Sequence, residues 1–161
     1  MGADLYESYS GARLSSMALG VSAGLGFKGM MIPMALCALG IFASIIGSFF
    51  VKTEEGADQK KLLGSLRKGT YISSALVVIA AFVLVKFAGL GLGLFFAIIS
   101  GLLAGVLIGY FTEYYTSDNY KPTQQLAAAS ETGSATIIIG GISLGLKSTM
   151  ASILIVSVAI L

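Results

Sequence analysis

Three long stretches without a charged residue constrain this sequence more than any other feature: 29–51, 69–85 and 87–112. A helix that crosses a membrane needs about 20 mainly apolar residues, with a range of about 17–25. Lipid offers the backbone no hydrogen-bonding partners, so a segment of this kind satisfies its own amide and carbonyl groups by forming a helix. The three stretches therefore predict three transmembrane helices.

Two further apolar segments flank these stretches. Segment 3–27 has a helical pattern with charges only at Asp4, Glu7 and Arg13, and the segment 134–161 is interrupted by Lys147. The sequence therefore predicts an all-α, polytopic integral membrane protein with five transmembrane helices. We place these helices near 3–26, 29–51, 69–88, 91–115 and from 123 onward, the last one bending at Gly140–Gly145. The first and last helices look cut short, so we expect 1–161 to be a partial transmembrane domain of a larger membrane protein.

Positive charges near the helix ends predict the topology. The connector 52–68 is rich in lysine and arginine and the connector 113–131 carries Lys121, whereas Lys28 and Lys86 flank the spans on the opposite side. Short loops rich in these residues remain in the cytoplasm. We therefore expect cytoplasmic loops at 52–68 and 116–123, and a first helix that starts at the cytoplasmic side. We interpret the charged connector as a solvated loop rather than a phosphate site, and we expect Lys147 near the cytoplasmic boundary.

Composition excludes several function classes. Only 11% of the residues are charged and the formal net charge is +2, with no basic cluster of the kind that binds nucleic acid, so we expect no nucleic-acid partner. The sequence has no histidine, which excludes an imidazole metal site within this chain. Cys37 is the single cysteine and cannot form an intramolecular disulfide, so we interpret it as a small buried apolar residue.

The acid pair Asp4 and Glu7 is the strongest functional signal. An ionisable residue at membrane depth is costly unless it is paired, hydrated or bound to an ion. At about 100° per residue both acids fall on one helix face with Ser8, and Arg13 falls roughly opposite. The face continues through small residues: Gly11, Ser15, Ala18 and Ser22. Such a face suits a hard cation; alternatively, both acids lie in the headgroup region, where the helix dipole favours negative charge. The spacing leaves both interpretations open.

Glycines at four-residue spacing recur in several helices: Gly20 with Gly24, Gly101 with Gly105 and Gly109, and Gly141 with Gly145. They predict close helix contacts, although glycine is also simply common in membrane helices. The polar cluster Glu113–Asp118 allows an ion or phosphate site. We favour a structural role, with interfacial tyrosines and polar residues that end the helix, and with Pro122 in the turn or first helical turn that follows.

Two motifs resemble the membrane-bound, ion-pumping pyrophosphatases. One is the opening 1–9. The other begins with Glu113, Tyr114, Tyr115, Thr116 and Ser117, is followed by Tyr120 and Pro122, and continues through 132–136 and 145–148. The order of the motifs and their separation also fit. The resemblance implies that this chain is an internal fragment, roughly the sixth to tenth transmembrane helices of a larger two-ring helical bundle.

The resemblance also implies a function for the full-length protein. Members hydrolyse Mg²⁺-bound pyrophosphate and couple this to Na⁺ or H⁺ transport, with K⁺ and Na⁺ as activators, and they work as homodimers in a membrane, the cell membrane in a prokaryote. The resemblance implies that Asp4 is the ion-gate aspartate, Glu7 the gate glutamate and Ser8 a neighbouring oxygen ligand. Catalytic residues and Mg²⁺ ligands lie outside this fragment, so the fragment alone is expected to be inactive.

The ion specificity follows from one departure within the resemblance. Many proton-pumping relatives carry the glutamate one turn later, where this chain has Gly11. This departure favours Na⁺ over H⁺, although some proton pumps share the earlier glutamate. Two other functions stay open: an ion-coupled secondary transporter, which also places acids in glycine-rich membrane helices, and a non-catalytic structural membrane subunit.

Overall fold

The computed structural model describes residues 2–54 and 56–161, and nearly all of them are helical. The α-helices are α1 Gly2–Gly20, α2 Gly26–Ser48, α3 Gln59–Phe87, α4 Leu92–Thr116, α5 Lys121–Ala129 and α6 Ser134–Ile160. A kinked segment, Val21–Leu25, with a non-helical residue at Gly24, joins α1 to α2, and a 3-10 turn, Ser130–Thr132, follows α5. No described residue lies in a β-strand, so the predicted all-α class is confirmed.

The described residues contain four helical stretches long and apolar enough to cross a membrane: Gly2–Ser48, Gln59–Phe87, Leu92–Thr132 and Ser134–Ile160. Large apolar side chains such as Phe42 and Phe87 are exposed on them, as expected where helices face lipid. The first stretch holds α1 and α2 as two antiparallel arms. The five predicted transmembrane helices therefore correspond to α1, α2, α3, α4 and α6, and the chain is a multi-pass membrane protein.

The helix ends differ from the sequence expectations at three places. Helix α3 already begins at Gln59, because glutamine, lysine, leucine and arginine in 59–68 all favour helix; the loop expected at 52–68 is correspondingly shorter. Helix α5 begins at Lys121, inside the loop expected at 116–123. The final helix breaks at Gly133, whose φ of 126° is a glycine conformation. Helix α6 then runs unbroken through Gly140–Gly145, where a bend was expected.

The chain divides into two compact units, Met1–Phe96 and Ala97–Leu161. In the first unit the chain reverses between α1 and α2 at Gly24 and Gly26, which have φ values of 79° and 55°. Next to this reversal the backbones of Gly20 and Gly29 touch: a Cβ built on Gly20 would lie 2.6 Å from the Gly29 carbonyl oxygen. Side chains are therefore excluded from this crossing, and α1 and α2 meet backbone to backbone.

Helices α2 and α3 pack through small residues. Ala43 and Gly47 of α2 and Gly69 of α3 are buried, and the Ser73 hydroxyl donates to the Ala43 carbonyl at 3.2 Å. At the other end of this pair the Lys28 ammonium donates to the Ala88 carbonyl at 2.7 Å, just beyond α3. A positive charge at a helix C-terminus is favourable, so Lys28 fastens the start of α2 to the end of α3.

The second unit contains most of α4 together with α5 and α6. The Ser100 hydroxyl of α4 lies 3.4 Å from the Ala159 carbonyl of α6. Leu126 of α5 packs close to Gly140 of α6, where an added Cβ would lie 2.9 Å from the leucine methyl group. The glycines 101, 105, 109, 141 and 145 face open space within this chain, so the close contacts expected there stay a prediction, whereas Gly20 is in close contact.

Candidate functional site

The predicted ion-site residues Asp4, Glu7 and Ser8 lie in the first two turns of α1, and all three are exposed. Side chains three residues apart on a helix are neighbours, with Cβ atoms about 5–6 Å apart. The structure thus brings the two carboxyl groups together on one side of α1. Gly11, Ser15, Ala18 and Ser22 continue the same side and are also exposed.

The opposite side of α1 packs against α2. Ser10, Arg13, Met17 and Gly20 are the partly buried residues of α1, and the Tyr9 hydroxyl donates to the Cys37 carbonyl at 3.2 Å. Arg13 is on this packed side, as its position in the helix predicted, so it points away from the acids. The face that carries Asp4 and Glu7 is therefore the face of α1 that α2 leaves uncovered.

The acid face is electrostatically unbalanced. Two neighbouring carboxylates repel each other unless a proton or a cation neutralises part of their charge. Their oxygens are ligands of the type that Na⁺ and other hard cations take. Among residues 2–54 and 56–161, no group of three or more acidic or cysteine side chains could hold a metal ion. The two carboxyl groups are therefore not part of a larger acidic cluster among the described residues.

The second motif closes the turn between α4 and α5. The Thr123 hydroxyl donates to the Tyr115 carbonyl at 3.2 Å, and the Gln124 amide donates to the Asp118 carbonyl at 3.0 Å. The Ser117 side chain is buried and accepts from the Asn119 backbone amide at 3.4 Å. These bonds use the polar groups of the turn internally, which agrees with a structural role.

Aromatic contacts fix the same turn. The ring of Tyr114 packs on Tyr115 and Tyr120, with centroid distances of 5.2 Å in both cases. Pro122 lies in the first turn of α5, where proline is favoured because its nitrogen needs no hydrogen bond. The sequence analysis identified most of this cluster but missed the hydrogen bonds of Asn119 and Gln124. Their side-chain amides, next to a helix end, were the signal that could have predicted these bonds.

Comparisons with known proteins identify the family of the chain. The family described as "Inorganic H+ pyrophosphatase" matches residues 1–161. A protein of Bacteroides thetaiotaomicron is 46% identical over 170 residues, which cover 100% of this chain and 23% of the relative. A protein of Clostridium tetani is 42% identical over 161 residues, which cover 100% of this chain and 24% of the relative. Both are described as "Putative K(+)-stimulated pyrophosphate-energized sodium pump".

A third relative carries a different description. A protein of Caldanaerobacter subterraneus subsp. tengcongensis, a "K(+)-insensitive pyrophosphate-energized proton pump", is 38% identical over 173 residues, which cover 99% of this chain and 24% of the relative. The chain spans about a quarter of the length of the curated relatives it matches. Since the family match extends over every residue of a chain that also has the helices and motifs expected of such a membrane protein, the chain belongs to the family of inorganic H⁺ pyrophosphatases.

Proposed function

We propose that the full-length protein containing this chain is a pyrophosphate-energised cation pump that couples hydrolysis of pyrophosphate to Na⁺ transport, with H⁺ as the alternative ion. The observation that carries this proposal is the family match over residues 1–161, together with relatives whose descriptions name sodium and proton pumps. The family match weighs against the two other functions considered from the sequence, a secondary transporter and a non-catalytic subunit.

Within this chain, the uncovered face of α1 contributes the ion site. Asp4 acts as the gate acid, Glu7 as the second carboxylate ligand and Ser8 as a further oxygen ligand. Support comes from their shared exposed side, which lies opposite the side packed on α2. A neighbouring helix of the full-length protein then covers this face and supplies the positive partner that Arg13 cannot supply.

Na⁺ is the preferred ion of this proposal. Gly11 occupies the position where many proton-pumping relatives carry the later glutamate, so the earlier acid Glu7 remains the single glutamate of the site. The sodium-pump descriptions also belong to the relatives with 46% and 42% identity, against 38% for the proton pump. Both observations point in the same direction.

The hydrolytic site belongs to the remainder of the protein. The described residues offer no cluster of acids that could hold Mg²⁺ with pyrophosphate, so no hydrolytic step involves this chain's side chains. We place Mg²⁺ binding, the activating K⁺ and the catalytic carboxylates on other helices, and we propose a homodimer as the working assembly.

The test is Na⁺ activation of pyrophosphate hydrolysis and pyrophosphate-driven ²²Na⁺ uptake by the reconstituted full-length protein. Two unit charges about 4 Å apart interact by about 4 kcal/mol at an effective dielectric constant of about 20. Losing even a third of this energy in Glu7→Ala raises the Na⁺ half-saturation about tenfold. Glu7→Asp keeps the charge but shortens the side chain, so it gives an intermediate value.

The matched control is Glu131→Ala, which removes an exposed carboxylate from the 3-10 turn after α5. We expect this variant to keep the wild-type Na⁺ half-saturation. Equal half-saturation in wild type and Glu7→Ala removes Glu7 from the ion site and returns it to an interfacial role. No pyrophosphate-dependent uptake of either Na⁺ or H⁺ by the wild-type protein refutes the pump itself.

A further inference from the structure

The connector after α2 and the first turns of α3 line an open cavity of about 580 Å³. The chain elements that form it are the residues just after α2, near 52–57, and the α3 face that begins at Lys61. Its lining consists of Lys52, Thr53, Glu54, Ala57, Lys61, Gly64, Ser65 and Lys68. Three of these eight residues are lysines and one is a glutamate, so the lining carries a formal charge of +2.

Two of the three lysines share one face of α3, and the third lies in the connector. Lys61 and Lys68 are seven residues apart in α3, so they lie on one face of the helix about two turns from each other. Among the described residues, no ion pair within 4.0 Å engages the ammonium group of Lys52, Lys61 or Lys68. Glu54 lines the same cavity and contributes one negative charge to it.

Two contacts fasten the connector to α3 at this cavity. The buried Ser65 hydroxyl donates to the Lys52 carbonyl at 2.8 Å, which fastens the connector to α3. One turn further on, a Val51 methyl group lies against Gly69, so closely that an added Cβ would be 2.5 Å away. The backbone that carries Lys52 is therefore held near the α3 lysines, so the backbone positions of all three lysines are fixed before a ligand binds.

The position of the cavity along α3 indicates which anion it meets. Helix α3 has 29 residues, a length of about 43 Å, whereas the hydrocarbon core of a bilayer is about 30 Å thick. The uncharged run 69–85 is the part that crosses the core, so Lys68 lies at its edge and Lys61 further out. Near the same edge, the side chains of Phe49 and Phe50, which directly follow α2, are exposed.

Although the sequence pattern favoured a solvated loop over a phosphate site at 52–68, we propose that this cavity binds the phosphate group of an anionic phospholipid, such as phosphatidylglycerol, with the acyl chains lying along the exposed side chains of Phe49 and Phe50. Basic pockets of this kind at the ends of transmembrane helices attract acidic headgroups. Free phosphate carries the same anionic group, but it has no acyl chains that could cover the exposed phenylalanine side chains. The combination of lysines and apolar surface therefore favours the lipid over the soluble anion.

The experiment measures retention of single lipids by the full-length protein in detergent, using native mass spectrometry with phosphatidylglycerol or phosphatidylcholine titrated in. The test variant is Lys61→Gln with Lys68→Gln. The charge-matched control is Lys60→Gln with Lys121→Gln, neither of which lines the cavity. Each lysine near a membrane surface contributes a factor of about five, so the test variant should bind phosphatidylglycerol about 30-fold more weakly. Lys61→Arg with Lys68→Arg keeps the charge and should retain the lipid.

Several results would overturn the proposal. Equal retention of phosphatidylglycerol and phosphatidylcholine by the wild type removes the headgroup charge from the interaction. Equal loss in the test and control variants assigns the effect to total charge rather than to the cavity. Binding of inorganic phosphate at least as tight as that of phosphatidylglycerol identifies the soluble anion as the ligand. The arginine variant shows whether a loss reflects charge or misfolding, and lipid retention is read independently of pump activity.

Discussion

The backbone contact between Gly20 and Gly29 predicts that a side chain at either position lowers the stability of the protein. Replacing Gly20 by alanine adds a methyl group 2.6 Å from the Gly29 carbonyl oxygen and 2.9 Å from its Cα. These atoms belong to the backbone and cannot rotate away, so α1 and α2 have to separate by about 0.8 Å to reach ordinary contact. We therefore expect Gly20→Ala to destabilise the protein.

The magnitude follows from two opposing effects. Forcing an extra methyl group into a tightly packed contact costs about 1–3 kcal/mol. Alanine is favoured over glycine inside a helix by up to about 1 kcal/mol, which offsets part of this cost. The net loss for Gly20→Ala is therefore about 1–2 kcal/mol. Gly29→Ala meets the Gly20 backbone in the same way and should lose a similar amount.

Gly64 is the control, because alanine at this position should not lower the stability. Gly64 lies in the water-facing turns of α3, and a Cβ there meets no atom within 4 Å. Only the helix preference of alanine then acts, so Gly64→Ala should be neutral or stabilising. The assay is thermal denaturation of the full-length protein in detergent, followed by fluorescence-detected size exclusion, with the three variants heated in parallel.

Two outcomes would refute the packing argument. One is a melting temperature for Gly20→Ala at or above that of Gly64→Ala. The other is full additivity in the variant that carries both Gly20→Ala and Gly29→Ala. Once the first methyl group has separated the helices, the second meets less resistance, so the double variant should lose at least about 0.5 kcal/mol less than the sum of the single losses.

Three further predictions follow from the same structure. Asp4→Ala should impair both ion transport and hydrolysis in the full-length protein; retention of either activity at the wild-type level contradicts a gate role. The isolated chain should release no phosphate from pyrophosphate with Mg²⁺, which a phosphate-release assay checks with the full-length enzyme as positive control. Lys28→Gln removes the charged donor from the Ala88 carbonyl and should lower stability by about 1 kcal/mol, measured as a lower melting temperature than that of Lys60→Gln.

The sequence predicted the features that depend on local chemistry. Uncharged runs located α2, α3 and α4, because lipid forces such segments to be helical. Rotation along α1 placed Asp4 and Glu7 on one side and Arg13 on the other, since helical periodicity is a local property. The resemblance supplied the family, which the match over residues 1–161 confirmed.

Features that depend on contacts between helices were not predictable in this way. Spacing within one helix pointed to Gly20 but could not identify Gly29, Gly47 or Gly69, because their neighbours lie on other helices. The break at Gly133 was missed because glycine is common inside membrane helices as well as at their ends. The cavity around Lys61 and Lys68 required the connector to fold back onto α3, which no local pattern encodes.

The brevity of the reversal between α1 and α2 has a consequence for biosynthesis. Arg13 lies near the middle of α1, where a charged residue opposes entry into the membrane by about 2.5–3.5 kcal/mol. Helix α2 holds only one charged residue, Lys28 near its start, and is strongly apolar beyond it. Only the five-residue segment Val21–Leu25 separates the two helices. This segment is too short for one helix to insert into the membrane while the other stays outside. We therefore expect the translocon to receive α1 and α2 as one hairpin, in which the apolar helix α2 carries the more polar helix α1 into the bilayer.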